Sequence, residues 1–277
     1  MIIDTHAQLY TREAVKGNVE GIPDEMAKMF KGYSQFFSGK GMELYTIEDM
    51  DAAGVDKSVV VAVDAETTLG FKIPNVLVAK MVEKYPDRLI GFASVDPHKG
   101  EKAVVELEDA VRNMGLKGLK IIPHLIDVYP NGKLMYPLYE KARELGIPVL
   151  LHTGTHFHLG RKIKYCQPIH VDEVAVDFPE LKIIIAHFGY PWYQEALAVV
   201  QRNFNVYFNI AGWSPRYIPD MVVQHMDSIL SHKVLFGSDH PLLPRKRILD
   251  ELGGLNLKEE TMKKLLSENA KRLLQIK

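Results

Sequence analysis

Eight short runs rich in apolar and β-branched residues recur through the 277-residue chain, at about 1–6, 58–63, 89–95, 117–122, 147–152, 182–187, 205–210 and 233–238. Most are continuously apolar rather than alternating, the pattern of parallel strands covered on both faces. Helix-period segments lie between them. Lys102 to Met114 puts Val104, Leu107, Val111 and Met114 on one stripe, and Met135 to Leu145 and Leu257 to Leu274 are spaced alike. Gly and Pro mark the joints, as in Tyr85-Pro86-Asp87, Gly146-Ile147-Pro148 and Phe178-Pro179-Glu180. Strand then helix, eight times over, predicts an α/β chain folded as a single (β/α)8 TIM barrel. No linker interrupts the pattern, so the expectation is one domain over residues 1–277.

Composition narrows the function. Lys and Arg number 34 against 35 Asp and Glu, for a formal charge of −1, so nothing favours nucleic acid or an anionic membrane as a partner. No apolar run reaches the ~18 residues that span a bilayer, and the start lacks the charged and apolar regions of a signal peptide. Cys166 is the single cysteine, which excludes an internal disulfide and a thiolate zinc cage. The expectation is a cytoplasmic protein that acts on a small molecule. The stretch 9–56 is far longer than an ordinary βα loop and carries Met26, Met29, Phe30, Tyr33, Phe36 and Phe37 among glycines. It reads as a helical insertion after the first strand, able to serve as a lid over the barrel mouth.

The chemistry is suggested by what ends the strands. His6, His152, His187 and Asp239 each close an apolar run, and Lys120 lies within another. In such barrels the strand C-termini form one rim, so four metal-ligand side chains from distant parts of the chain would meet at one mouth. His124, Thr155, His156, His158, Arg161, Lys162, Trp213, Arg216, His240 and Arg245 fall on loops predicted to surround that mouth. Of these, His124, His156, Arg161, Trp213 and His240, together with Lys120, are the expected substrate-binding residues, because several cations suit a carboxylate-bearing substrate. His156-Phe157-His158 has the spacing of a metal-binding His-x-His but follows a strand instead of lying on one, and reads as loop. Cys166 reads as a bystander thiol.

Ile3-Asp4-Thr5-His6, Lys117-Gly118-Leu119-Lys120-Ile121, Leu151-His152-Thr153-Gly154, Ala186-His187-Phe188-Gly189 and Phe236-Gly237-Ser238-Asp239-His240-Pro241 occur in that order. In this the chain resembles the amidohydrolase superfamily, and within it the branch of aminocarboxymuconate semialdehyde decarboxylase, γ-resorcylate decarboxylase and pyrone dicarboxylate lactonase. The resemblance implies a metallo-dependent hydrolase barrel with one divalent ion, zinc first and manganese or iron next, held by His6, His152 and Asp239. Gln8 stands where the family carries a second histidine and is the fourth, weaker candidate ligand. His187 matches a position that orients or deprotonates metal-bound water in mononuclear members and ligates metal in binuclear ones, with acid–base work the first assignment, and Asp239 would be both ligand and proton acceptor. Lys120 matches the neighbourhood of a lysine that is carboxylated in binuclear relatives, but with Gln8 in place of histidine it is expected to be a plain cation. The resemblance also implies a homodimer.

These expectations give a leading function, a metal-dependent hydrolase that turns activated water on an ester, lactone or amide of a small acid. The alternative uses the same site for nonoxidative decarboxylation of an aromatic or unsaturated acid. A TatD-like nuclease and a metal-free barrel are weaker readings; the former lacks support from charge and from the Gly237-Ser238-Asp239 ending.

Overall fold

Triplets such as Ile183-Ile184-Ile185 and Val149-Leu150-Leu151 are β-branched or bulky throughout, so they gain most where both faces of a strand are covered. In the computed structural model, which describes residues 1–9, 42–156, 158 and 160–276, all of these residues are buried. Eight parallel strands form the centre: β1 (Ile3–Gln8), β2 (Lys57–Val61), β3 (Leu89–Phe92), β4 (Leu119–Ile121), β5 (Val149–Leu151), β6 (Ile183–Ile185), β7 (Val206–Asn209) and β8 (Val234–Leu235). They fall on the eight predicted runs.

Neighbours pair in parallel from β1 through β3 and from β4 through β8. The two sheets are stitched into a ring by single bridges at both seams. Ala93 pairs with Leu119, and Lys120 N donates to Ala93 O at 2.6 Å. Ala7 pairs with His240, with Thr5 N to Phe236 O at 2.9 Å and Gln8 N to His240 O at 2.7 Å. The barrel fold is therefore as expected. The helices also lie where the periodicity placed them, at Glu101–Arg112, Tyr136–Glu144 and over the chain end, where Glu259–Lys263 and Asn269–Leu274 flank a π-helical turn at Lys264–Glu268.

Two differences matter for the site. First, β1 runs on to Gln8, and its register with β2 shifts between Asp4 and Ala7. Ile3 belongs to the interior cluster with Val59, Val61, Leu150 and Ile184. Strict alternation would turn His6, three residues on, to the opposite face; the irregularity re-aims it inward and leaves Asp4 facing the helix layer. Second, β2 continues into a hairpin, Val63–Ala65 against Phe71–Ile73, which the sequence pattern does not indicate. Of the stretch 9–56, the helix Met42–Ala53 is described; the expected lid over the mouth falls mostly on residues 10–41, outside the described residues. No described helix is long and apolar enough to cross a membrane.

Candidate active site

Beneath the site lies a buried ion pair. Arg245 and Asp4 are both fully enclosed, with Nε to Oδ2 at 2.7 Å, and the same guanidinium reaches Asp49 at 2.9 Å and Ser58 Oγ at 3.0 Å. Asp4 also accepts from Ser238 Oγ at 2.6 Å, from Ser238 N at 2.9 Å and from His6 N at 3.1 Å. One carboxylate thus clamps the backbone just before His6 to the backbone just before Asp239. Arg245, read from sequence as a mouth cation, is spent on this clamp, and the Asp4–Arg245 pairing had no signal in spacing.

Above it, His6 Nε2 lies 3.5 Å from Asp239 Oδ1, and Gln8 Nε2 donates to the same carboxylate oxygen at 3.1 Å. Gln8 therefore presents its amide nitrogen here and steadies Asp239. His187 Nε2 faces His152 Nδ1 at 3.1 Å, while His187 Nδ1 meets the carbonyl of Ala211 at 2.8 Å. That carbonyl can only accept, so it fixes the Nδ1–H tautomer of His187 and leaves Nε2 as the basic nitrogen. The rings of His6 and His187 are 5.2 Å apart and those of His187 and His152 4.6 Å, so the two donor pairs stand side by side. Burial pushes the pKa of all three imidazoles below the usual value, which keeps them neutral at pH 7.

Backbone strain marks the same residues. His187 and Phe188 have φ of 59° and 38°, and Asp239 has φ of 57°, a region costly for non-glycine residues. Hydrogen bonds hold these conformations: His187 N donates to Asn209 Oδ1 at 3.1 Å, and Asp239 N to His6 O at 2.8 Å. Gly212 is required beside them. Its φ is 76°, and a β-carbon there would lie 2.9 Å from His187 Nδ1 and 3.3 Å from Asp239 Oδ2.

These residues open into a cavity of about 290 Å³. Its polar end is Gln8, His152, His187 and Asp239; its walls are Val63, Phe71 and Ile73 from the hairpin, Ile122 and Leu125 after β4, Trp213 after β7, and Pro241 and Leu242 after β8. His156 and His158 also line it. Of the six expected substrate-binding residues, His156 and Trp213 reach the cavity. The other four stand behind its wall. Lys120 is sealed in the barrel with no hydrogen-bond partner for Nζ among the described residues, and burial lowers its pKa to about 7. His124 is buried under His156, Arg161 pairs with Asp127 at 2.6 Å, and His240 sits 3.3 Å from the Asp49 carboxylate. The hairpin residues were missed because three-residue strands carry too little periodicity to separate from loop.

The donors at the polar end suit a divalent ion. The 3.5 Å between His6 Nε2 and Asp239 Oδ1 is close to the roughly 3.3 Å expected between two ligand atoms of a tetrahedral zinc ion. Among the described residues the buried Nε2 of His152 has no partner, and nitrogen-rich donors with one carboxylate are the chemistry of such sites. Among the described residues, however, the metal-type triplets with all donor atoms within 4.8 Å of one another are His124–His152–Cys166 and His124–His156–His158. The expected set of His6, His152 and Asp239 is not among them: His152 reaches the His6–Asp239 pair through His187.

A barrel with strained histidine and aspartate residues at its strand ends is the frame of a metallo-dependent barrel enzyme. The amidohydrolase family model matches residues 3–276, and the chain belongs to that family. Among curated proteins it is 27% identical over 199 residues to a 2-keto-4-carboxy-3-hexenedioate hydratase from Sphingobium, covering 60% of this chain and 56% of the hydratase. It is 24% identical over 127 residues to a 2-amino-3-carboxymuconate-6-semialdehyde decarboxylase from Dictyostelium discoideum, covering 40% of this chain and 35% of that protein. The matches thus span about half or less of those relatives' lengths. Among solved structures, an uncharacterised TIM-barrel protein from Bordetella bronchiseptica superposes with a TM-score of 0.82 at 25% identity, over 99% of this chain and 98% of that one. A 5-carboxyvanillate decarboxylase from Novosphingobium aromaticivorans, complexed with manganese and a nitrobenzoic acid, gives 0.72 at 18% identity over 100% and 96%.

Proposed function

We propose that this protein is a metal-dependent, nonoxidative carboxy-lyase acting on a small aromatic or unsaturated acid. The observation that carries the reading is the division of the cavity: imidazoles and a carboxylate at one end, and a predominantly apolar surface elsewhere that includes Phe71, Ile73, Leu125 and Trp213. A flat, ring-sized acid matches both halves. The two curated relatives support it, since one is a decarboxylase and the other acts on an unsaturated carboxylic acid. The decarboxylase favours this chemistry over the hydrolase expected from sequence, and the hydratase supports the substrate class.

His6, His152 and Asp239, with His187 beside them, would hold the ion. Manganese, the ion in the Novosphingobium relative, and zinc both suit these donors. What a bound divalent ion adds is Lewis-acid stabilisation of negative charge on the substrate. The chain supplies the rest. Loss of carbon dioxide breaks one carbon–carbon bond and leaves an electron pair on carbon that must take up a proton. Asp239 and His187 are the proton carriers placed at the polar end, with Gln8 fixing the former and Ala211 O the latter. Trp213 and Phe71 would hold the ring and exclude water.

No described Lys or Arg lines the cavity, so an acid would be anchored by the ion and the imidazoles. Incubating the manganese- or zinc-loaded protein with hydroxybenzoates, carboxyvanillate and muconate-like acids should release carbon dioxide from at least one of them. Hydration of an unsaturated acid without loss of carbon dioxide, or cleavage of lactones alone, would displace this reading.

A further inference from the structure

We infer that His124, His156 and His158 form a second metal site on the cavity wall, suited to an imidazole-preferring divalent ion such as zinc. The site is built from side chains to which the proposed chemistry gives no part in holding the first ion or in proton transfer.

His124 follows β4 and is buried; His156 and His158 follow β5 and face the cavity. One donor atom from each lies within 4.8 Å of the other two, and His124 Nε2 is already 2.9 Å from His158 Nδ1. That separation is close to the roughly 3.3 Å between two nitrogens on one tetrahedral zinc. No carboxylate belongs to the triplet, which disfavours magnesium or calcium.

Two further observations point to a ligand. Among the described residues, both ring nitrogens of His156 are buried without a partner, an uncommon condition for an imidazole. His124 is also fixed so that Nε2 is the atom on offer: its Nδ1 contacts Cys166 Sγ at 3.2 Å, and Arg161 Nε donates to its carbonyl at 2.9 Å. A partner on the second ring nitrogen orients ligating histidines in known metal sites, and for His124 the Cys166 contact takes that place. Arg161 is itself neutralised by Asp127.

His156 at present stacks on His124, with ring centroids 3.7 Å apart and 11° between planes. A metal must lie in the plane of a ligating ring, so His156 has to turn about its Cβ–Cγ bond, a side-chain motion at the cavity surface. The triplet His124–His152–Cys166 uses the opposite face of His124. It opens less onto the cavity, because His124 and Cys166 are both buried and only His152 of the three lines it.

With three protein ligands the ion keeps a position open to the cavity, the arrangement of catalytic rather than structural zinc. It would take a second carboxylate of the substrate, at a wall where no described Lys or Arg does so. That role rests on the carboxy-lyase reading; the site itself does not.

Equilibrium dialysis of untagged, metal-stripped protein against zinc, followed by elemental analysis, tests it. The unaltered chain should hold two equivalents, His156→Ala/His158→Ala one, and His6→Ala/Asp239→Asn the other one. Cobalt substitution should give visible bands that the His156→Ala/His158→Ala protein loses in part. Unchanged metal content and cobalt spectrum in that protein would overturn the second site while leaving the first intact. A single equivalent lost with His156 and His158 but kept by His6→Ala/Asp239→Asn would uphold the second site and remove the first. Circular dichroism of each variant confirms that the barrel is folded.

Discussion

At the scale of single residues, Gly212 and Lys120 carry the sharpest consequences. Gly212→Ala forces a β-carbon to 2.9 Å from His187 Nδ1 at a φ of 76°. The variant should lose about 1–3 kcal/mol of stability and, because His187 is displaced, at least ~10-fold in turnover; denaturant melts and steady-state rates measure both. Wild-type turnover would show that the position of His187 is unimportant. Lys120 buries an amine whose pKa falls from 10.5 to about 7. Below pH 7 both folded and unfolded chains carry its charge, so the cost of burying it is fully present. Between pH 7 and 10.5 the unfolded chain still binds the proton that the folded chain has shed, and stability rises with pH across that window. Lys120→Met should therefore be more stable at pH 7 by at least ~1 kcal/mol, and the alkaline rise should vanish. The sequence exposed His6, His152, His187 and Asp239 because each ends an apolar run. It could not expose what Lys120, Arg161 and His240 touch, since those contacts join residues far apart in the chain and follow no period.

At the scale of elements, the eight strands were legible because continuous β-branched runs have few alternatives. The register shift in β1 and the hairpin Val63–Ala65/Phe71–Ile73 were not, for the one is a single-residue irregularity and the other is only three residues a side. Yet both shape the site: the shift turns His6 inward, and the hairpin supplies one cavity wall. A cluster of charges anchors the hairpin, with Lys99 Nζ 2.7 Å and Lys72 Nζ 3.2 Å from the buried carboxylate of Asp64. Phe71→Ala removes an aromatic wall worth about 1.5–3 kcal/mol of apolar burial. It should raise KM for a ring-bearing acid about tenfold or more, with a smaller effect on kcat. An unchanged KM would show that the ring binds elsewhere.

At the scale of the molecule, six histidines are gathered at one end of the barrel, and burial lowers the pKa of each. All are neutral in the folded chain at pH 7, whereas unfolded histidine protonates near 6.5. Stability should thus be intact above pH 6.5 and fall as the pH drops toward about 4, where His156 and His158 begin to charge in the folded state as well. Thermal melts of the metal-free protein from pH 8 to 4 would show this; a Tm flat through that range would contradict it. Carbon dioxide trapping in D2O tests the central claim most directly, using a responsive acid, the metal-loaded protein and its Asp239→Asn variant. Release of one carbon dioxide for each deuteron fixed at the vacated carbon, slowed at least ~100-fold in the variant, is the predicted result. Carbon dioxide release that persists undiminished in Asp239→Asn, or turnover of such acids with the carboxylate retained, would contradict it.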